Sequence, residues 1–324
     1  MRRLSHLLFA VAVLAAAGSS RAAEPEKIRV LIIDGQNNHA WQQTTPVLKK
    51  ELEDCGRFAV DVATSPPGAK LPALPKDATP EQKAKHNEQV KAIQTEQRTK
   101  MEKFHPDLSK YQVVVSNYNG EPWGKDLNEQ LDSLLKDGKI GYAVVHAANN
   151  AFPGWKEYNQ MIGMGWRDAK FGKRLKVDES GKEVVVEAGQ DQGSGHRYVG
   201  PFVVTIRDAE HPITRGMPRE WMHVRDELYD NMRGPIERVH VLATAYSDKD
   251  KKGTGAHEPM IWTVAYGKGR VFHTPMGHDA NAMRCHGFAA ALQRGTEWAA
   301  TGTVTIPLPK EFPTADKPSP IPGK

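Results

Sequence analysis

The sequence predicts an α/β protein built on a doubly wound, mostly parallel sheet with helices on both faces, plus one inserted surface helix. Three observations carry this. Short apolar runs alternate with amphipathic segments of helical length. The first two runs, residues 27–35 and 58–65, bracket a helical segment and so form a βαβ unit, whose strands lie parallel. The first run, "KIRVLIIDG", is almost continuously apolar, as a strand covered on both faces is.

The elements follow in order. After the first strand comes a polar loop, "QNNHAW". A helix then runs over "QQTTPVLKKELEDCG", with Pro46 in its first turn, Val47, Leu48 and Leu52 on its apolar face and Gly56 as its stop. A Pro-rich loop leads from the second strand into a very polar helix at residues 79–104. Thr79 caps that helix, Pro80 follows, and Gln82 closes a capping box. Its apolar stripe is thin (Val90, Ile93, Met101, Phe104), which predicts a helix lying on the surface rather than a coiled-coil arm. "YQVVVSNYNG" is a third strand, "KDLNEQLDSLLKDG" a helix, "KIGYAVVHAANNAF" a fourth strand that leaves through His146, and "WKEYNQMIGMGW" a short helix.

Residues 167–230 read as less regular. They hold a Gly-rich loop at 189–200, a strand "FVVTIRD", a turn "HPITRGMP" and the segment "WMHVRDELYDN". "VHVLATAYSD" is a further strand, and "EPMIWTVAYGKGRVFHTPMGH" a hairpin around Gly267–Lys268–Gly269. A last helix spans "AMRCHGFAAALQRGTEWAATG", and the Pro-rich tail at 302–324 is expected to be extended.

The N-terminus carries an export signal at residues 1–23. Arg2 and Arg3 precede the apolar stretch Leu7–Gly18, and Ser20–Ala23 offers small residues for cleavage. The stretch is too short for a spanning helix, and no later segment is long and apolar enough to be one. The expected location is therefore periplasmic or secreted, with the folded domain at 24–301. Cleavage removes three arginines and no acids, which takes the formal charge from +5 to +2. No basic stripe with interleaved aromatics remains, so nucleic acid is not an expected partner.

Ligands of open α/β sheets bind beyond the carboxyl ends of the strands. Asn37, Asn38 and His39 sit there after the first strand, Asn117 and Tyr118 after the third, His146 and Asn149 after the fourth, and His273, His278 and Asp279 after the last. Each has a plainer role to set beside a functional one. His273 reads as a buried core histidine. His278 lies beside a helix start that Asp279 would cap more naturally. Asp226 and Glu227 are carboxylate candidates or part of a solvated turn, and Trp155 is a hydrophobic contact rather than a sugar platform. His146 stands at the strand–elbow–helix position where an amidotransferase or α/β-hydrolase keeps its Cys or Ser, so thiol-based glutamine hydrolysis is not expected. Zn²⁺ or a related metal could bind through pocket imidazoles. No H-E-x-x-H spacing occurs, His257–Glu258 is only a pair, and no metal ligand is assigned.

"GYAVVHAAN", "HPITRGMP", "DELY", "EPMIWTVAYGKGRVFHTPMGHD" and "FAAALQRGTEWAA" resemble, in that order, the trehalose-utilisation (ThuA-like) family. The resemblance covers roughly residues 28–300 and is most specific over 258–300. It implies a flavodoxin-like sheet similar to that of class I glutamine amidotransferases, without their catalytic triad. It also implies a role in disaccharide catabolism through 3-keto sugars made by a partner sugar dehydrogenase. Carried over by motif, the pocket residues are His39, His146, His196, Glu227 and His278. The 79–104 helix and the long 189–200 loop depart from the family pattern and bear on the pocket's shape. In such a fold Cys55 and Cys285 lie at opposite ends of two parallel neighbouring helices, which predicts two free thiols.

Three function classes follow. The first is an enzyme acting on a disaccharide or its 3-keto derivative, with His146, His278 and Glu227 as acid–base groups and His39, Asn37, Asn117, Asn149 and His196 binding a small-molecule carbohydrate. The second is a non-catalytic carbohydrate-binding or accessory protein. The third is a metal-dependent hydrolase of other substrates.

Overall fold

The structure, a computed structural model, describes residues 26–323. The export signal and its cleavage site lie outside the described residues. Among those residues the strands form one eleven-stranded sheet with two halves.

The parallel half has the order β2 (Phe58–Thr64), β1 (Ile28–Asp34), β3 (Val113–Ser116), β4 (Gly141–Val145) and β11 (Gly269–Thr274). All four pairings within it are parallel. Successive β1 side chains point to opposite faces, and both faces are covered. Val30 and Ile32 pack with Val47, Leu48 and Leu52 of α1 (Trp41–Asp54) and with Phe288 and Leu292 of α6 (His286–Thr301). Leu31 and Ile33 share the opposite core with Leu127, Leu131 and Leu135 of α3 (Lys125–Lys136) and with Met161 and Ile162 of α4 (Lys156–Ile162). Each of these buried aliphatic side chains contributes on the order of 1.5–3 kcal/mol over its exposed state. This is the doubly wound arrangement, and it leaves the carboxyl ends of β1, β3, β4 and β11 on one rim.

The antiparallel half continues from β11 through β10 (Ala256–Tyr266), β9 (Val239–Ser247), β7 (Gly195–Ile206) and β8 (Glu220–Asp230). A short hairpin, β5 (Arg174–Val177) and β6 (Glu183–Val186), leans on β10. Here the sequence reading needs correction. The region 167–230 is not irregular, because β7 and β8 are its longest elements. The strand expected from Phe202 reaches back to Gly195 and takes in half of the expected loop. "WMHVRDELYD" is a strand although it carries three consecutive charged residues, Arg225, Asp226 and Glu227.

The inserted helix α2 (Pro80–Lys103) starts with the expected capping box. Gln82 N–H donates to Thr79 Oγ1 at 3.2 Å, and Gln82 Oε1 accepts from Thr79 N–H at 2.8 Å. Only Gln97 and Met101 of the helix are buried. Met101 Sδ receives Gln36 Nε2 at 3.5 Å, so the helix braces the loop that leaves β1.

The last helix is broken in two. One turn, α5 (Ala280–Met283), precedes α6, and the backbone between them pairs with the tail. Ile321 N–H donates to Arg284 O at 2.9 Å and His286 N–H to Ser319 O at 3.0 Å. The tail is docked rather than merely extended. Ile306 is buried, and Phe312 packs on Trp221 with ring centroids 5.7 Å apart. Cys55 closes α1, Cys285 caps α6, and both are free thiols.

Candidate functional site

Four loops or strands deliver imidazoles to one carboxylate. Glu227 lies on β8 with its side chain 12% exposed. His278 Nε2 is 3.4 Å from Glu227 Oε1, His196 Nδ1 is 3.6 Å from Oε1, His146 Nε2 is 3.7 Å from Oε2, and His39 Nε2 is 4.0 Å from Oε2. Burial raises the carboxyl pKa of Glu227, against the pull of His278 and His196.

Each imidazole is held for a local reason. His146 follows the last residue of β4 and is itself left-handed, with φ 46°. That conformation is strained for a residue with a Cβ, and such elbows project a side chain above the sheet edge. His146 Nδ1 donates to Pro275 O at 2.7 Å. A carbonyl can only accept, so Nδ1 carries the proton and Nε2 presents a lone pair to the pocket. Burial holds this ring neutral, with its pKa lowered to about 3. His39 Nδ1 lies 3.3 Å from Asn37 Oδ1, again an acceptor, and its Nε2 also faces inward. Its pKa is lowered to about 4, by burial first and by His278 second.

His278 is placed by its backbone. Asp226 accepts from Gly277 N–H at 2.7 Å and from His278 N–H at 3.0 Å. Asp279 caps α5 through Asn281 N–H and Ala282 N–H, which frees His278 from the capping role. His196 is the most open of the four, 45% exposed, and its ring lies 5.5 Å from that of Trp166.

Of the residues expected from sequence, His39, His146, His196, Glu227 and His278 converge. Asn37 orients His39 and is one step removed from the pocket. Asn117 and Asn149 are not brought to it. Asn117 is buried and donates to Thr44 and Thr45 hydroxyls at 3.0 Å. Asn149 is fully buried, donates to His273 Nε2 at 3.2 Å and accepts from Trp166 N–H at 3.2 Å. Both amides are taken up by these internal hydrogen bonds. His273 is the core histidine expected, with its Nδ1 3.2 Å from Ile162 O. Glu258 pairs with the buried Arg174.

The sequence reading missed two residues. Tyr229 Oη donates to His146 Nε2 at 3.1 Å, and Trp166 packs on the Tyr229 ring at 4.8 Å. Tyr229 stands two residues after Glu227, so a strand assignment would have put both on one face. No local pattern marks Trp166. The sequence reading assigned no metal ligand. Yet His39, Glu227 and His278 each offer one ligand atom within 4.8 Å of the others. They come from three distant segments, which no short motif encodes. A cleft of about 490 Å³ between α2 and the start of α3, lined by Gln97, Met101 and Trp123, holds none of these groups.

Fold and site together define an α/β protein with a doubly wound, glutamine amidotransferase-like sheet and a histidine at the elbow after β4. The chain belongs to the ThuA family, described as trehalose utilisation, whose model matches residues 29–299. It is similar to a ThuA-like protein of known structure from Parabacteroides merdae, at 39% identity over 91% of this chain and 98% of that one, with a TM-score of 0.78. A second ThuA-like protein, from Bacteroides uniformis, shares the fold at 16% identity and a TM-score of 0.54, over 89% of this chain and 96% of its own. No curated protein matches the chain.

Proposed function

We propose that this is an exported protein of carbohydrate catabolism that processes a disaccharide, or its 3-keto derivative, by proton transfer in the Glu227 pocket. The observation that carries the reading is the convergence of four imidazoles on Glu227 at the carboxyl rim of the sheet. The family description supports the substrate class, and the leader read at residues 1–23 supports export.

The 3-keto derivative fits such a pocket better than the intact sugar. Its carbonyl acidifies the C–H on the neighbouring carbon. A base takes that proton, the C–O bond to the departing sugar breaks, and an acid protonates the leaving oxygen. His146, with its proton fixed on Nδ1, turns Nε2 to the pocket as the accepting atom, and Tyr229 Oη, which bonds it at rest, would swing away as substrate enters. His278, 35% exposed, stands on the open side where a leaving group would emerge. His196 and Trp166 supply a polar edge and a ring face for hydroxyl-rich ligands. A sugar dehydrogenase is the class of partner that would supply the substrate.

Proton NMR of the purified chain with a panel of 3-keto and ordinary disaccharides tests this. Loss of a 3-keto glycoside's signals, abolished in His146→Ala, is expected. Broadened signals without turnover would turn the reading to a binding protein, and no response to any sugar would overturn it.

A further inference from the structure

We propose that His39, Glu227 and His278 form a binding site for one divalent transition-metal cation of the zinc class. The site is the pocket of the reading above. The cation's catalytic use rests on that reading, whereas its binding does not.

Three observations carry the proposal. The first is the donor set. Two imidazoles and one carboxylate, with ligand atoms all within 4.8 Å of one another, match a three-ligand site that keeps a position open. The second is orientation. Nδ1 of His39 faces Asn37 Oδ1, and Nδ1 of His278 lies 3.6 Å from Asp279 Oδ2. The His39 ring is thus tied on its outer nitrogen, the His278 ring has a carboxylate on its outer side, and both present Nε2 toward Glu227, as metal-binding histidines are held. The third is that these inward atoms do not satisfy one another. The Nε2 atoms of His39 and His146 face each other at 3.4 Å, and both carry their proton on the other nitrogen. Tyr229 Oη already occupies the His146 lone pair at 3.1 Å, so the lone pair of His39 Nε2 finds no donor there, and a cation would supply its partner.

The spacing also suits such an ion. Bonds of about 2.0–2.1 Å at tetrahedral angles separate neighbouring ligand atoms by roughly 3.3 Å. His278 Nε2 and Glu227 Oε1 are already 3.4 Å apart. His39 Nε2 lies 4.0 Å from the other carboxylate oxygen, Oε2, and with one ligand atom from each residue the three lie within 4.8 Å, so the side chains would close in on the ion. The open position would face His146 Nε2 and Tyr229 Oη. There the cation would polarise a substrate oxygen while His146 takes the proton.

The test is a titration of the chelator-stripped full chain with Co²⁺, followed by visible absorption and then by Zn²⁺ competition, with no sugar present. One equivalent of Co²⁺ should produce d–d bands that Zn²⁺ displaces. His278→Ala and the isosteric Glu227→Gln should each weaken binding by more than the roughly 10–100-fold lost when a group that only orients a ligand is removed. Circular dichroism should stay unchanged in both. Absence of bands, or bands unaltered in both variants, would overturn the proposal. A cation bound without sugar turnover leaves the metal site standing and removes the reading as a sugar-processing enzyme. Turnover by the stripped chain that never binds Co²⁺ does the reverse.

Discussion

His223 Nε2 lies 2.9 Å from Asp226 Oδ2, and both side chains are fully buried. The pair is the anchor beneath the pocket, because Asp226 also holds the backbone of Gly277 and His278. Burial opposes the charge on His223, but Asp226 and Cys285 outweigh it and raise its pKa to about 9. A histidine pKa raised on folding stabilises the protein fully below the unfolded value, near 6.5. That stability is lost as pH rises through about 9. The urea midpoint should therefore fall between pH 7 and 10, by an amount corresponding to roughly 3 kcal/mol. In His223→Gln the same interval should be flat.

The elbow at His146 makes a backbone prediction. At φ 46° a Cβ is strained. His146→Gly should be more stable than His146→Ala by about 1 kcal/mol, the reverse of the usual order. Both should lose turnover. Urea unfolding of the two variants reads the difference directly, and an Ala variant as stable as the Gly variant would remove the strain argument.

Glu297 clamps the tail. Its carboxylate accepts from Thr305 N–H at 2.8 Å, Thr305 Oγ1 at 2.6 Å and Ile306 N–H at 3.1 Å, and pairs with Arg57 at 3.0 Å. Burial works against this charge, but the Thr305 and Ile306 bonds and Arg57 lower its pKa. A depressed carboxyl pKa stabilises above the unfolded value, and that stability is lost as pH falls through the folded one. Glu297→Gln should cost about 1–3 kcal/mol at pH 7. The gap to the parent chain should close as pH drops below about 4, measured by urea midpoints.

Glu258 and Arg174 are both about 1% exposed. Replacing Glu258 by Ala strands a buried guanidinium that only the more exposed Asp191 can still meet. The expected loss is about 3–5 kcal/mol. Replacing Lys49, whose partner Glu53 is on the surface, should cost under about 1 kcal/mol. Equal costs in thermal unfolding would contradict the burial argument.

The centre of the parallel half was legible because β3 and β4 are buried on both faces and say so in composition. Val113–Val115 and Tyr142–Val145 have no polar member. β8 was not legible for the opposite reason. Its site face carries Glu227 and its anchor face Asp226, so the chemistry erases the pattern that marks a strand. The hairpin of β5 and β6 is four residues a side, too short for an alternation to register. The histidines were legible as rim residues once strand ends were known. His196 and Glu227 joined them in one pocket only through the family resemblance, since 39, 146, 196, 227 and 278 are brought together only by the fold. Asn117 and Asn149 mislead because position at a strand end says nothing of which way a side chain turns.

β11 joins the two halves of the sheet, lying between β4 and β10. Its pairing Val271↔Tyr142 spans well over a hundred residues of chain. A ribosome has made every other strand of the sheet before this one exists. Until then β4 has an open edge, and the pocket lacks the loop that brings His278. Such distant pairing is slow to form. The nascent chain therefore stays incompletely folded, and without its pocket, until β11 and the loop after it have been synthesised.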